Sequence, residues 1–164
     1  MKSKYCLIIA FLIFSCKNPN LKSDSENLSE PDSANFENIV GAGYLKLTAD
    51  YDECGEWGGH HEEIKIMRKN KILLAEFIKD SVDCDNIQSR KVIEKKKIVL
   101  TEAHKKAITI YLHQLLDKSL QEQIPFHAGR WYSAETIDST LIINYHEGGN
   151  NWNGFIKLRE ELSK

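Results

Sequence analysis

From residue 44 onward, apolar positions fall into short alternating runs, one long helical stripe and a short final one. Residues 44–50 place Leu45, Leu47 and Ala49 on one side and Lys46 and Thr48 on the other, the pattern of a strand with one wet face. Residues 62–68, with Ile64 and Ile66, and 72–79, with Leu73, Ala75 and Phe77, repeat that pattern. Lys69-Asn70-Lys71 between them reads as the turn of a hairpin. A further strand is predicted over 90–99, where Lys95-Lys96-Lys97 interrupts the alternation. Three consecutive lysines suit a solvated edge that resists aggregation.

Thr101 can cap a helix that runs to about residue 121. Successive turns of that helix put Ile108, Tyr111, Leu112 and Leu115 on one stripe, with Lys105, Lys106, His113 and Asp117 opposite. His104, in the first turn, falls at the border of the apolar stripe. Pro125 and Gly129 close this section. Leu141, Ile143 and Tyr145 give the inward face of one more strand, and Gly148-Gly149-Asn150-Asn151 a loop. The remaining residues fit a short helix from Asn153 or Gly154. Strands, long helix, strand and short helix in that order predict an α+β fold: a mostly antiparallel sheet, one long helix packed on it and a short C-terminal helix. No repeat of solenoid period is present, and residues 41–164 read as one globular domain.

Composition narrows the function classes. The 164 residues are 41% apolar, enough for one core. Lys and Arg number 22 against 24 Asp and Glu, a formal charge of −2, so the basic footprint of a nucleic-acid binder is missing.

The N-terminal residues carry an address. Lys2 and Lys4 precede an apolar run over 5–14. A membrane-spanning helix needs about 20 apolar residues, so this run suits the core of a secretion signal instead. It ends at Ile13-Phe14-Ser15-Cys16, where the sequence resembles a bacterial lipoprotein. That family has an aliphatic residue three before a cysteine and a small residue directly before it; Phe14 stands where a small residue is preferred. The resemblance implies that residues 1–15 are a signal peptide and that Cys16 is acylated and becomes the new N-terminus. Lys17, where Asp would otherwise follow, resembles lipoproteins that move on to the outer membrane. Residues 17–38 are rich in Ser, Asn, Asp, Glu and Pro, so 16–40 read as the lipidated cysteine and a flexible tether with a reach of about 25 Å. Without Lys2 and Lys4, 20 basic residues face 24 acidic ones, a balance of −4.

Of four cysteines, Cys6 leaves with the signal and Cys16 takes lipid, so Cys54 and Cys84 remain as an even pair in an oxidising compartment. The midpoint of 54 and 84 is residue 69, in the predicted hairpin turn. Residues equidistant from such a turn face each other, so the two cysteines are expected to meet at the open end of the hairpin as a disulfide. Closing a loop of about 30 residues stabilises the fold by roughly 3–4 kcal/mol. No C-x-x-C and no second cysteine pair point to zinc instead.

Candidate chemistry is sparse. Trp57-Gly58-Gly59-His60-His61-Glu62-Glu63 holds adjacent histidines that face opposite ways on an extended chain, which does not suit one metal shared by both. Asp52, Glu53 and Glu56 near Cys54, and Asp80, Asp83 and Asp85 near Cys84, form an acidic group without the glycine and glutamate of a helix-loop-helix calcium site. Trp57, Trp131 and Trp152 each sit in a glycine-containing, turn-like segment beside a histidine: His60, His127 and His146. Such rings either cover the ends of a core or line a glycan or peptide groove. No Gly-x-Ser-x-Gly, phosphate-cradling loop or dinucleotide fingerprint occurs, and no cofactor is expected.

Three functions stay open at this level. The leading one is a membrane-tethered, non-catalytic binding module, with Trp57, His60, Trp131 and Trp152 in its contact surface and a glycan, peptide or envelope protein as ligand. The second is a small metal-dependent hydrolase drawing on His60, His61, Glu62, His127 and His146. The third is a structural or inhibitory partner of an envelope protein.

Overall fold

The computed structural model describes residues 36–41, 43–86, 89–121, 128–149 and 151–164. Helix α1 (Phe36–Val40) precedes strands β1 (Tyr44–Asp50), β2 (His61–Lys69), β3 (Ile72–Ser81) and β4 (Lys91–Val99). Helix α2 (Glu102–Ser119), strands β5 (Arg130–Thr136) and β6 (Ile142–Glu147) and helix α3 (Gly154–Leu162) follow. The six strands form one sheet in the order β4-β3-β2-β1-β5-β6, with every neighbouring pair antiparallel. The expected α+β fold is therefore present, with α2 standing in the chain between β4, at one edge of the sheet, and β5, which lies next to the opposite edge.

The alternation along the strands sets the two faces. Leu45 lies opposite Ile66 and Leu47 opposite Ile64 across β1 and β2, and the same two residues face Thr136 and Ala134 of β5. This face is buried under Tyr111, Leu112 and Leu115 of α2 and Phe155, Leu158 and Leu162 of α3. Among the described residues the other face carries no helix; it mixes polar and charged side chains with apolar ones, including the cross-strand row Tyr44, Met67, Leu74 and Val99. Asn70 and Lys71 adopt positive φ angles of 51° and 67°, which gives the tight two-residue turn that matches strand twist and fixes the β2–β3 register.

Helix α2 begins as its sequence predicts. The Thr101 hydroxyl accepts the His104 backbone N–H at 3.2 Å, and the His104 ring accepts the Thr101 N–H at 3.3 Å. His104 thus takes the part that Glu or Gln plays in a capping box. At the sheet edge, β4 is exposed along most of its length, in keeping with its lysine run.

Two departures from the sequence reading stand out. Strand β5 was not expected: the segment around Trp131 reads as a turn, yet it pairs with both β1 and β6. Its inward positions are Tyr132, Ala134 and Thr136, of which one alone is large and apolar, so the alternation is faint. Phe36 and Val40, within the segment read as tether, are buried in the core. Three apolar residues on one five-residue helix, Phe36, Ile39 and Val40, are too few to stand out in a polar stretch.

Candidate functional site

The residues singled out in the sequence gather at one end of the sheet, where β1, β3 and β6 finish and β2, β4 and β5 begin. Cys54 and Cys84 tie the two loops there together, with sulfurs at bonding distance and Cα atoms 5.4 Å apart. Trp57 follows Cys54 on a single 3-10 turn, Gly55–Trp57, and is 73% exposed.

The sheet divides this end into two environments. On the uncovered face, antiparallel register aligns His61, Asp50, Trp131 and His146 in one row across β2, β1, β5 and β6. The Nδ1 of His61 lies 2.8 Å from Asp50 Oδ1. That hydrogen bond raises the His61 pKa; burial opposes it, while the charges of Asp50, Asp80 and Glu63 add to it. Trp131 is 53% exposed, and its inner side stacks on the buried His146 ring at 4.0 Å with planes 9° apart. The hydroxyls of Thr48 and Ser133 meet at 2.7 Å further along the same face. Gly129, at φ +139°, passes close to β6: a Cβ there would come within 2.9 Å of His146 Nε2 and 2.3 Å of the Glu147 carbonyl oxygen.

On the helix-covered face the same end is a buried polar cluster. Glu62, 1% exposed, shares its Oε1 among Arg159 Nη1 at 2.7 Å, Lys79 Nζ at 3.1 Å and His60 Nε2 at 3.3 Å. The His60 ring stacks on Tyr51 at 4.1 Å, and its Nδ1 bonds Glu53. Burial acts to raise the Glu53 pKa, but hydrogen bonds from its own and the His60 backbone N–H, with the His60 ring, hold it below the ordinary value. Burial and the neighbouring Glu62 push the Tyr51 hydroxyl well above its ordinary pKa. Tyr132, pushed up to about 12 by burial and by Glu147, lies 3.2 Å from the Trp152 carbonyl and 3.4 Å from Glu147 Oε2 and donates between them. Glu147 also accepts the Trp152 backbone N–H. The Trp152 ring packs on Tyr111, Tyr132 and Tyr145 and lies against Gly154, where a Cβ would come within 2.2 Å of it.

The three tryptophans therefore do not share one surface. Trp57 and Trp131 are exposed, whereas Trp152 lies on the far side of the sheet and closes the end of the core. The histidines do not converge either. His60 faces the helices; His61 and His146 lie on the open face, three strand spacings or about 14 Å apart. His127 and Cys16 lie outside the described residues. Among the described residues no group of three His, Cys, Asp or Glu side chains is placed to hold a metal ion. Of the acidic residues near the disulfide, three have separate partners: Glu53 with His60, Asp52 with Arg130 at 3.5 Å, and Asp83 with the Asp85 N–H at 3.1 Å.

No protein-family model matches this chain, and no curated protein matches it either.

Glu62 and Glu147 were not read as buried anchors, although the signal was there. Glu62 continues the inward series of Ile64 and Ile66, and Glu147 that of Ile143 and Tyr145. Carboxylates in register with a core face have to be paired inside it.

Proposed function

We propose that the protein is a lipid-anchored binding module of the bacterial envelope, tethered through Cys16, that takes a glycan on the open face of its sheet. The observation that carries this reading is the Trp131 ring, more than half exposed and held flat against His146 at 4.0 Å. A fixed aromatic plane packs against the C–H face of a sugar ring. The Asp50 carboxylate, the His61 imidazole and the Thr48–Ser133 hydroxyl pair lie on the same face and offer hydrogen bonds to sugar hydroxyls. Trp57 is exposed at the same end of the sheet, on the loop after Cys54. The bonded cysteine pair is in keeping with an oxidising compartment, which is where the lipoprotein signal would take the chain.

Titration with soluble peptidoglycan oligosaccharides, followed by intrinsic tryptophan fluorescence and calorimetry, tests the binding site. Trp131→Ala is expected to weaken binding by about ten-fold or more, equivalent to about 1.4 kcal/mol, with an unchanged melting temperature. Undiminished binding by that variant overturns the reading. The anchor is tested separately by mass spectrometry of Cys16 and by Cys16→Ala, which should move the protein from the membrane to the soluble fraction.

A further inference from the structure

The opposite edge of the sheet carries a second surface, independent of the Trp131 face. Helices α2 and α3 cover β1, β2, β5 and β6 but stop short of β4, which pairs with β3 on one side and, among the described residues, with no strand on the other. Where the covering ends, a cavity of about 100 Å³ opens between β4 and the end of α3. It is lined by Ile64, Phe77, Ile98 and Leu162 together with the charged side chains of Lys96, Arg159 and Glu94. The volume suits one aliphatic side chain. Val92 and Ile93, near the start of the same strand, are 59% and 60% exposed.

The backbone limits how this edge can be used. Lys79 faces Glu94 and Asp80 faces Val92, so Ile93 is an extra residue and the ladder bulges there. Bulges stop edge pairing, which leaves residues 94–99 as the straight segment with an unpaired edge. That segment includes the stretch of β4 that lines the cavity.

Charge then selects the occupant. Lys95 and Lys97 meet Glu76 at 2.7 and 3.6 Å on the open face, while Lys96 points the other way, to the cavity rim. Glu94 is the single acid among these six residues. A second copy pairing antiparallel here would set lysine runs against each other, and like charges directly opposite are destabilising.

We propose that β4 is a docking edge for an extended acidic segment of another protein. The segment adds as a seventh strand along residues 94–99, seats one aliphatic side chain in the cavity and sets a carboxylate against Lys96. Backbone pairing gives affinity in such complexes, and the side-chain pocket gives selectivity.

An octapeptide of alternating Glu and Val, added to the full chain, tests this by amide hydrogen exchange and fluorescence anisotropy. The expected result is protection of the amides over 94–99 together with binding that weakens as salt rises. Lys96→Glu, a change at an exposed position, should weaken binding about ten-fold and leave the melting temperature alone. An alternating Lys and Val peptide should not bind. Failure of the acidic peptide to protect β4 at millimolar concentration overturns the proposal, as does equal binding by the Lys and Val peptide or by Lys96→Glu. Protection of β4 by anionic phospholipid vesicles that the peptide does not displace assigns the edge to the membrane surface and overturns it too.

Discussion

Arg159 on α3 reaches back 97 residues to donate to Glu62 of β2 at 2.7 Å. Glu62 is 1% exposed, and a carboxylate that deep is tolerated only because cations meet it. The pair fastens α3 over the end of the sheet that holds the candidate site. Phe155, Leu158 and Leu162 supply the apolar packing of that helix, and Arg159 fixes where along the sheet it sits.

The two ends of this ion pair should respond differently to substitution. Arg159→Met leaves the carboxylate buried with Lys79 and His60, and is expected to cost about 2 kcal/mol, less than a complete loss of partners would. Glu62→Gln leaves cations that are about one-third exposed and free to turn to water, so its cost should be about 1 kcal/mol. The double variant should recover part of the loss seen with Arg159→Met. Urea midpoints measure all three, and an Arg159→Met protein as stable as the parent would show that the pair does not hold the helix.

Trp152 and Trp57 look alike in sequence and should separate cleanly in a melting experiment. Trp152 packs on three tyrosines, and Trp152→Ala is expected to cost about 3 kcal/mol. Trp57 is 73% exposed, and Trp57→Ala should stay within about 0.5 kcal/mol of the parent. Similar losses for both would contradict the placement of the two rings.

Much of this distinction was legible in the residues, and the part that was not has a physical cause. Strong alternation identified β1, β2 and β3, and the 3.6-residue stripe identified α2, because each buries large aliphatic residues at regular spacing. Strand β5 buries Tyr132, Ala134 and Thr136, so pairing with β1 defines it more than its own hydrophobicity does. Missing β5 left Trp131 in an imagined turn. The row of His61, Asp50, Trp131 and His146 depends on strand order, and strand order is a tertiary fact: β5 lies beside β1, more than 80 residues away, as the Thr48–Ser133 contact across 85 residues shows. The cysteine pair was legible because both members lie just beyond the open end of one hairpin, although the β2–β3 register centres between Asn70 and Lys71 and the loops make up the offset from strict symmetry.

The cysteine pair should matter for the candidate site as well as for stability. It spans 30 residues, and removing it by Cys54→Ser with Cys84→Ser is expected to cost about 3–4 kcal/mol through the larger entropy of the unfolded chain. It also ties the loop that carries Trp57 to the loop that precedes β4. Hydrogen exchange in residues 51–60 should accelerate in the double variant beyond the change expected from global stability. A double variant with unaltered stability would show that the staple adds nothing to the folded state.

The hydrogen bond between His61 and Asp50 should give the protein a defined pH response. Its bond to Asp50 raises the folded pKa of His61 above the ordinary value of 6.5. The folded state therefore binds this proton more tightly than the unfolded chain does. The resulting stabilisation is fully present below about pH 6.5 and is lost as pH rises through the higher folded pKa. Asp50→Asn removes the charged partner, so melting temperatures of that variant should fall less than those of the parent between mildly acidic and mildly alkaline pH. His61→Gln should behave the same way, since it deletes the titrating group itself. Because Asp50 lies directly opposite Trp131 in the β1–β5 register, the same titration alters the charge beside the aromatic platform. Glycan affinity measured across that range should change in the parent and stay flat in His61→Gln. Parallel pH profiles for the parent and Asp50→Asn would rule the pair out as the source of the response.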